Sequence, residues 1–194
     1  MKSNIERTKE THDKILIKAM ELFVHNGYHN TSIRDIAKYS DISTGAIYHN
    51  FKNKEEIAVE LFNYTVSFLN NLFENIINLN TTTNNKIKEL VYSLLNLANS
   101  NRITLEYALN VKHKEIIKNG KPICSSGPFE LLRIFLKKES EQGNIKKIDS
   151  YVATVCLTGI PIRLIQLYWD DVIKKNLESY KELIFEEVWK TLKP

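Results

Sequence analysis

The segment from Gly27 to Ile57 constrains the fold more than any other part of the chain. It reads Gly-Tyr-His-Asn-Thr-Ser-Ile-Arg-Asp-Ile-Ala-Lys-Tyr-Ser-Asp-Ile-Ser-Thr-Gly-Ala-Ile-Tyr-His-Asn-Phe-Lys-Asn-Lys-Glu-Glu-Ile. Stop and start signals follow one another so closely that only two short helices fit, with a third starting at once. Gly27 suits the left-handed position after a helix. Ser32 with Asp35 three residues on forms a short-armed capping box, Ser43 is a second N-cap, and Asn53 with Glu56 repeats the box pattern. This punctuation fits a helix-turn-helix, whose second helix enters the DNA major groove.

The flanking periodicity agrees. Ile15, Ala19, Leu22 and Phe23 share one face and predict a helix over 8–25, with Tyr28 folding back on Phe23. Ile33, Ile36 and Ala37 form the inner face of the next helix, and Tyr39-Ser40-Asp41 is the turn. Ile42 and Ile47 make a hydrophobic staple around the Ser43 cap, which turns Thr44, Tyr48 and His49 outward. A long helix follows over 54–79, carried by Ala58, Leu61, Phe62, Leu69, Leu72, Phe73 and Ile76. Further helices are predicted near 85–98, 102–118, 128–141, 149–171 and 177–192. No strand pair, repeat or low-complexity tract is evident. The chain is therefore expected to be all-α with about nine helices. Residues 1–53 are expected to form a three-helix domain that carries the helix-turn-helix, and 54–194 a larger helical domain.

The totals fit a soluble globular protein, with 43% hydrophobic and 26% charged residues. A net charge of +4 permits a polyanionic partner without requiring one. The two cysteines, Cys124 and Cys156, make neither a disulfide framework nor a metal site, and the N-terminus lacks the apolar core of a secretory signal. A cytoplasmic protein with reduced thiols is expected. The apolar run 151–169 approaches bilayer length, but Arg163 and Gln166 lie within it and Gly159-Ile160-Pro161 interrupts it, so no membrane partner is expected. His12, His25, His29 and His49 lack ligand spacing and read as exposed polar surface, so no metal is assigned. No catalytic motif is present, no catalytic residue is assigned and no cofactor is implied.

Candidate DNA-contacting residues follow from chemistry. Thr44 offers a hydroxyl and a methyl that can meet thymine. Gly45 costs about 1 kcal/mol against alanine in a helix interior, which a close approach of backbone to DNA or to the first helix would explain. Tyr48 and His49 can donate to phosphates. Lys52 and Lys54 sit at a helix N-terminus, where a cation is mildly unfavourable and a bound phosphate would remove the conflict. Arg34 near the start of the second helix, Thr31 or Ser32 at its cap, and Ser43 at the next cap complete the set.

These residues resemble the TetR family of bacterial transcriptional regulators. The family pattern is met at Gly27, Tyr28, Thr31, Ser32, Ile36, Ala37, Ile42, Ser43, Gly45, Tyr48, Phe51, Lys54 and Glu55. The chain departs from it in the turn, where Ser40-Asp41 stands for the usual Ala-Gly. The resemblance implies DNA contacts at Thr31, Ser32, Thr44, Gly45, Tyr48, His49 and Lys54. It also implies a small-molecule pocket and a dimer face in the remaining helices. Phe68, Tyr92, Tyr107, Phe135 and Cys156 are candidates for the pocket.

The sequence points independently to a dimer. The helix 151–169 is apolar nearly all round and needs cover on all sides, which a second subunit can supply. Val155, Gly159 and Ile162 on it, with Leu183, Ile184 and Val188 on the last helix, are candidates for that face. A core helix of a monomer is the alternative. The expected function is a ligand-responsive repressor, a homodimer on palindromic operator DNA released by a small-molecule effector. The alternative is a DNA-bound structural protein of the same fold, such as a nucleoid-occlusion factor.

Overall fold

The computed structural model describes residues 4–116 and 126–194. Among them are ten α-helices and no strand: α1 (Asn4–His25), α2 (Ile33–Ser40), α3 (Thr44–Asn50), α4 (Lys54–Ile77), α5 (Thr83–Ser100), α6 (Arg102–Asn110), α7 (His113–Ile116), α8 (Gly127–Glu141), α9 (Ser150–Trp169) and α10 (Lys181–Leu192), the last entered through a 3-10 turn at Leu177–Tyr180. The expected single helix over 102–118 is instead α6 and α7. Cys124 lies outside the described residues.

The described chain packs as two compact units. The first holds α1 to α3, α4 as far as Ser67, and the chain from Ile103 through α7; the second holds Phe68–Arg102 and everything from Ser126 on. By packing, the division between the two units falls inside α4, whose 24 residues span about 36 Å.

The core of the first unit is built by periodicity. Ile15, Ala19 and Phe23 of α1, Ile36 and Ala37 of α2, Ile47 of α3, and Ile57, Ala58 and Leu61 of α4 are all buried. Gly27 takes φ +84°, which ends α1, and the Tyr28 ring packs edge-on against Phe23 with centroids 5.2 Å apart. α6 adds the fully buried Tyr107, whose hydroxyl donates to the Ala58 carbonyl at 3.2 Å. Burial pushes that phenol far above its ordinary proton affinity.

The break between α6 and α7 has a side-chain cause. The Tyr107 carbonyl belongs to the last turn of α6, where carbonyls lack in-helix partners. The ring of His113 fills that place, with Nε2 3.0 Å from the carbonyl. The ring is itself buried between Tyr107 and Phe62, with centroids at 4.9 and 5.3 Å.

In the second unit α5 packs against α9 and α10, and α8 packs against α9. Leu90, Val91, Leu94 and Leu95 of α5, Leu132 and Leu136 of α8, Ala153, Leu157 and Ile165 of α9, and Val188 and Leu192 of α10 are buried there. Asp149 caps α9 by accepting from the Tyr151 and Val152 amides. The helix runs unbroken through Gly159 and Pro161. Among the described residues it is the one helix long and apolar enough to cross a membrane. It is not apolar cover on every side, however: Tyr151, Val152 and Val155 are exposed, with Val155 at 58%.

Candidate nucleic-acid interface

Each helix of the 31–57 segment starts from a cap legible in the chain. Ser32 caps α2: its hydroxyl accepts from the Asp35 amide at 3.2 Å, and the Asp35 carboxylate accepts from the Ser32 amide at 2.8 Å. Hydrogen bonds from the Ser32 hydroxyl and then from its amide hold the Asp35 carboxyl below its ordinary pKa. Asp41 adopts φ 54°, ψ 46° as the left-handed stop of α2, a position an aspartate tolerates well. Ser43 caps α3 by accepting from the Ala46 amide at 3.2 Å, which leaves its own O–H to donate outward.

With Ile47 buried, α3 presents Ser43, Thr44, Gly45, Tyr48 and His49 to solvent. Tyr48 is 58% exposed. Gly45 is informative because two explanations were open. Among the described residues a Cβ built there would meet only the Ser43 hydroxyl, at 4.0 Å, so none of them requires glycine. Crowding against α1 is not the reason for it. Arg34, on α2, and Lys52, before α4, are also exposed.

Two of the candidates are turned inward. Thr31 is 1% exposed, and its hydroxyl donates to the Gly27 carbonyl at 2.9 Å, closing the α1–α2 turn. Lys54 is half-buried. Its ammonium donates to the carbonyls of Tyr28 and Thr31, both at 2.7 Å, and stands 4.1 Å from the centre of the Tyr28 ring. Burial lowers its pKa, and burial raises that of Tyr28, with Glu55 adding to the latter. The start of α4 is also capped from within: Asn53 accepts from the Glu56 amide at 2.8 Å, and Glu56 accepts from the Lys52 amide at 2.5 Å. The box thus closes one residue earlier than its usual form, and that end does not depend on a phosphate.

Of the four histidines read as exposed surface, His25, His29 and His49 are exposed and one differs. His12 is packed: its ring stacks on Phe51 at 4.7 Å and Nε2 lies 3.2 Å from Glu60. Among the described residues no cluster of metal-ligating side chains occurs.

The pocket candidates fall in both units. Tyr107 is in the first unit, whereas Phe68, Tyr92, Phe135 and Cys156 are in the second. Tyr92 donates to Glu182 beneath the Lys88 ammonium, Phe135 is buried, and Cys156 is a half-buried free thiol. A cavity of about 250 Å³ in the first unit is lined instead by residues such as Phe23, Tyr28, Asn30, Asn110 and Val111. Of the dimer candidates, Val155 and Leu183 are exposed, Gly159 and Ile162 half-buried, and Ile184 and Val188 buried within their own unit.

Comparison with known proteins agrees with this geometry. Residues 15–61 match the model of bacterial regulatory proteins of the tetR family. The HTH-type transcriptional regulator QacR of Staphylococcus aureus is 47% identical over 51 residues, 26% of this chain and 27% of that protein. The match thus spans about a quarter of that relative's length. The fatty acid metabolism regulator protein of Bacillus subtilis is 29% identical over 157 residues, covering 75% of this chain and 77% of that one. The solved structure of the transcriptional regulator FadR from Bacillus subtilis, in complex with stearoyl-CoA, superposes with a TM-score of 0.69 at 21% identity, over 90% of this chain and 96% of that one. The capped helix-turn-helix thus lies within the residues, 15–61, that match the tetR family model, on an all-α chain that shares the fold of the solved regulator.

Proposed function

We propose that the protein is a DNA-binding transcriptional regulator, a repressor that holds palindromic operator DNA as a homodimer and leaves it when a small molecule binds. The observation that carries the reading is the outer face of α3. Gly45 lies there without an internal reason, flanked by exposed Thr44, Tyr48 and His49. A recognition helix that lets its backbone come close to a duplex needs such a gap. In this reading Thr44 meets base edges. Ser32, Arg34, Ser43, Tyr48, His49 and Lys52 meet phosphates, which set register rather than sequence.

The dimer is supported by α9. Val152, Val155, Gly159, Ile162 and Gln166 recur at alternating steps of three and four, the spacing of a helix–helix seam, and each is exposed or half-buried. The first effectors to test are long-chain acyl thioesters, because the relative matched over most of its length regulates fatty acid metabolism. An effector must bind the DNA-incompetent arrangement more tightly than the DNA-bound one, or it shifts nothing.

Selection of bound fragments from random DNA tests the reading directly. A two-fold symmetric consensus, weakened by an acyl-CoA at constant salt, is expected. Failure to enrich any sequence would overturn it. An enriched palindrome that no acyl-CoA affects would remove the effector class alone.

A further inference from the structure

Among the 20 residues of α9 a single one is charged, Arg163, and it is exposed. At 3.6 residues per turn it falls in line with Val152 and Gly159, opposite the buried Leu157 and Pro161. Among the described residues its guanidinium meets no carboxylate; it donates to the Gln166 side-chain oxygen at 3.3 Å. The nearest acid on that side, Asp170, stands about two turns further on, about 10 Å along the axis. α10 lies beside α9, and both pack on α5. Leu183, Glu186, Glu187 and Lys190 recur on the outer face of α10 at helical spacing, all exposed. Lys190 pairs with Glu187 at 2.7 Å, and Glu182, further round the helix, pairs with Lys88 and accepts from Tyr92. Glu186 is left with no ion pair among the described residues.

We infer that Arg163 of one protomer binds Glu186 of the partner subunit, and that this ion pair, repeated by the two-fold, fixes the register of α9 against the partner's α10. The inference rests on the dimer reading and adds to it the contact that decides which copies fit. A seam that covers Val155 and Gly159 also takes Arg163 out of water, because the three share one side of the helix. A guanidinium desolvated without an anion strongly opposes association. A second α9 cannot supply that anion. Crossing at Gly159, it brings its own Asp170 no nearer to Arg163 than about 10 Å along the axis. The carboxylate must come from the neighbouring helix, and Glu186 is the outward one there that no cation holds. The planar fork of an arginine suits a carboxylate. A two-fold interface uses the same patch on both copies. A face that carries one unpaired cation on α9 and one unpaired anion on α10 is therefore complementary to itself.

Charge reversal, read by sedimentation of the full-length protein, tests the pair. Arg163→Glu alone and Glu186→Arg alone each set like charges together at both copies of the contact. Each is expected to weaken self-association by about tenfold or more. Mixed one to one, the two variants are expected to form a heterodimer close in affinity to the unaltered dimer, because both contacts then join opposite charges. A chain carrying both reversals should dimerise by itself in the same way. Circular dichroism checks that each chain is folded, as the exposure of both side chains leads one to expect. Should a reversal unfold its chain, Arg163→Ala and Glu186→Ala take its place, and the double variant is expected to dimerise no more weakly than the weaker single one. Single reversals that dimerise as tightly as the unaltered protein would overturn the proposal. So would a mixture no tighter than its components, or alanine substitutions whose effects simply add. An unaltered protein that stays monomeric at every concentration would overturn the dimer reading instead.

Discussion

At the scale of single residues, Gly45 sets stability against function. In the free protein a methyl there enters open space, meeting only the Ser43 hydroxyl at 4.0 Å. Alanine also favours the helix over glycine by about 1 kcal/mol. Gly45→Ala should therefore raise the melting temperature while weakening operator binding by about tenfold or more, since the methyl occupies the space the duplex needs. Unchanged DNA affinity would remove the close-approach explanation. Thr44 and Tyr48 separate in another way. Tyr48→Ala should weaken all DNA sequences alike, whereas Thr44→Ala should change which bases are preferred, as read by selection from random DNA. The opposite pattern would exchange their roles. These outward positions were legible in the chain because a staple between Ile42 and Ile47 fixes which side of α3 faces in. Thr31 and Lys54 were not legible. Their partners are backbone carbonyls, which carry no residue signature, and for Lys54 they lie 26 and 23 positions away in sequence.

At the scale of elements, the caps were readable because capping is local: Ser32 with Asp35, Ser43, and Asn53 with Glu56 each act within four residues. The end of α6 was not readable. Apolar spacing continues past Asn110, and only the tertiary burial of His113 shows that its ring replaces a chain amide at the Tyr107 carbonyl. This has a consequence in pH. Nε2 donates to that carbonyl, and Nδ1 is buried with no hydrogen-bond partner among the described residues. Burial therefore lowers the pKa of His113 below the ordinary 6.5, against a smaller opposing effect of the Tyr107 carbonyl. In the window between the lowered folded value and 6.5, the unfolded chain takes up a proton that the folded chain refuses. Stability should thus fall as pH drops below about 6.5 and level off once the folded ring also titrates. His113→Phe keeps an apolar ring and removes the titration. Its melting temperature should start lower, for want of the cap, but decline less between about pH 7.5 and pH 5.5 than that of the unaltered protein. Parallel declines would show that the buried ring is not the group responsible.

At the scale of the whole molecule, α9 decides whether one chain suffices. Its composition suggested a helix covered on all sides, with a monomer core as the alternative. The structure covers only one side, burying Ala153, Thr154, Leu157, Pro161 and Ile165 and leaving Val152 and Val155 half exposed or more. Sequence could show that the helix is apolar but not which neighbours reach it, because that depends on how α5, α8 and α10 pack around it. In the dimer proposed above, the seam through Val152, Val155, Gly159 and Ile162 would face a two-fold partner, since a helix crossing its own copy at Gly159 can approach closely. Among the described residues a Cβ at Gly159 would meet only Val155, at 3.7 Å, so the gap there serves no packing between them. Val155→Glu places one carboxylate from each copy in that seam, where burial and like charge both oppose association. Sedimentation should show the unaltered protein as a dimer and the variant as a monomer, with helical content by circular dichroism unchanged because Val155 contributes nothing to the folded core. Operator affinity should collapse with it, because two recognition helices about 34–36 Å apart on one face of the duplex require both copies. A variant that stays dimeric would move the interface elsewhere on the second unit. A monomeric variant that still holds the full palindrome with undiminished affinity would break the link between dimerisation and DNA reading.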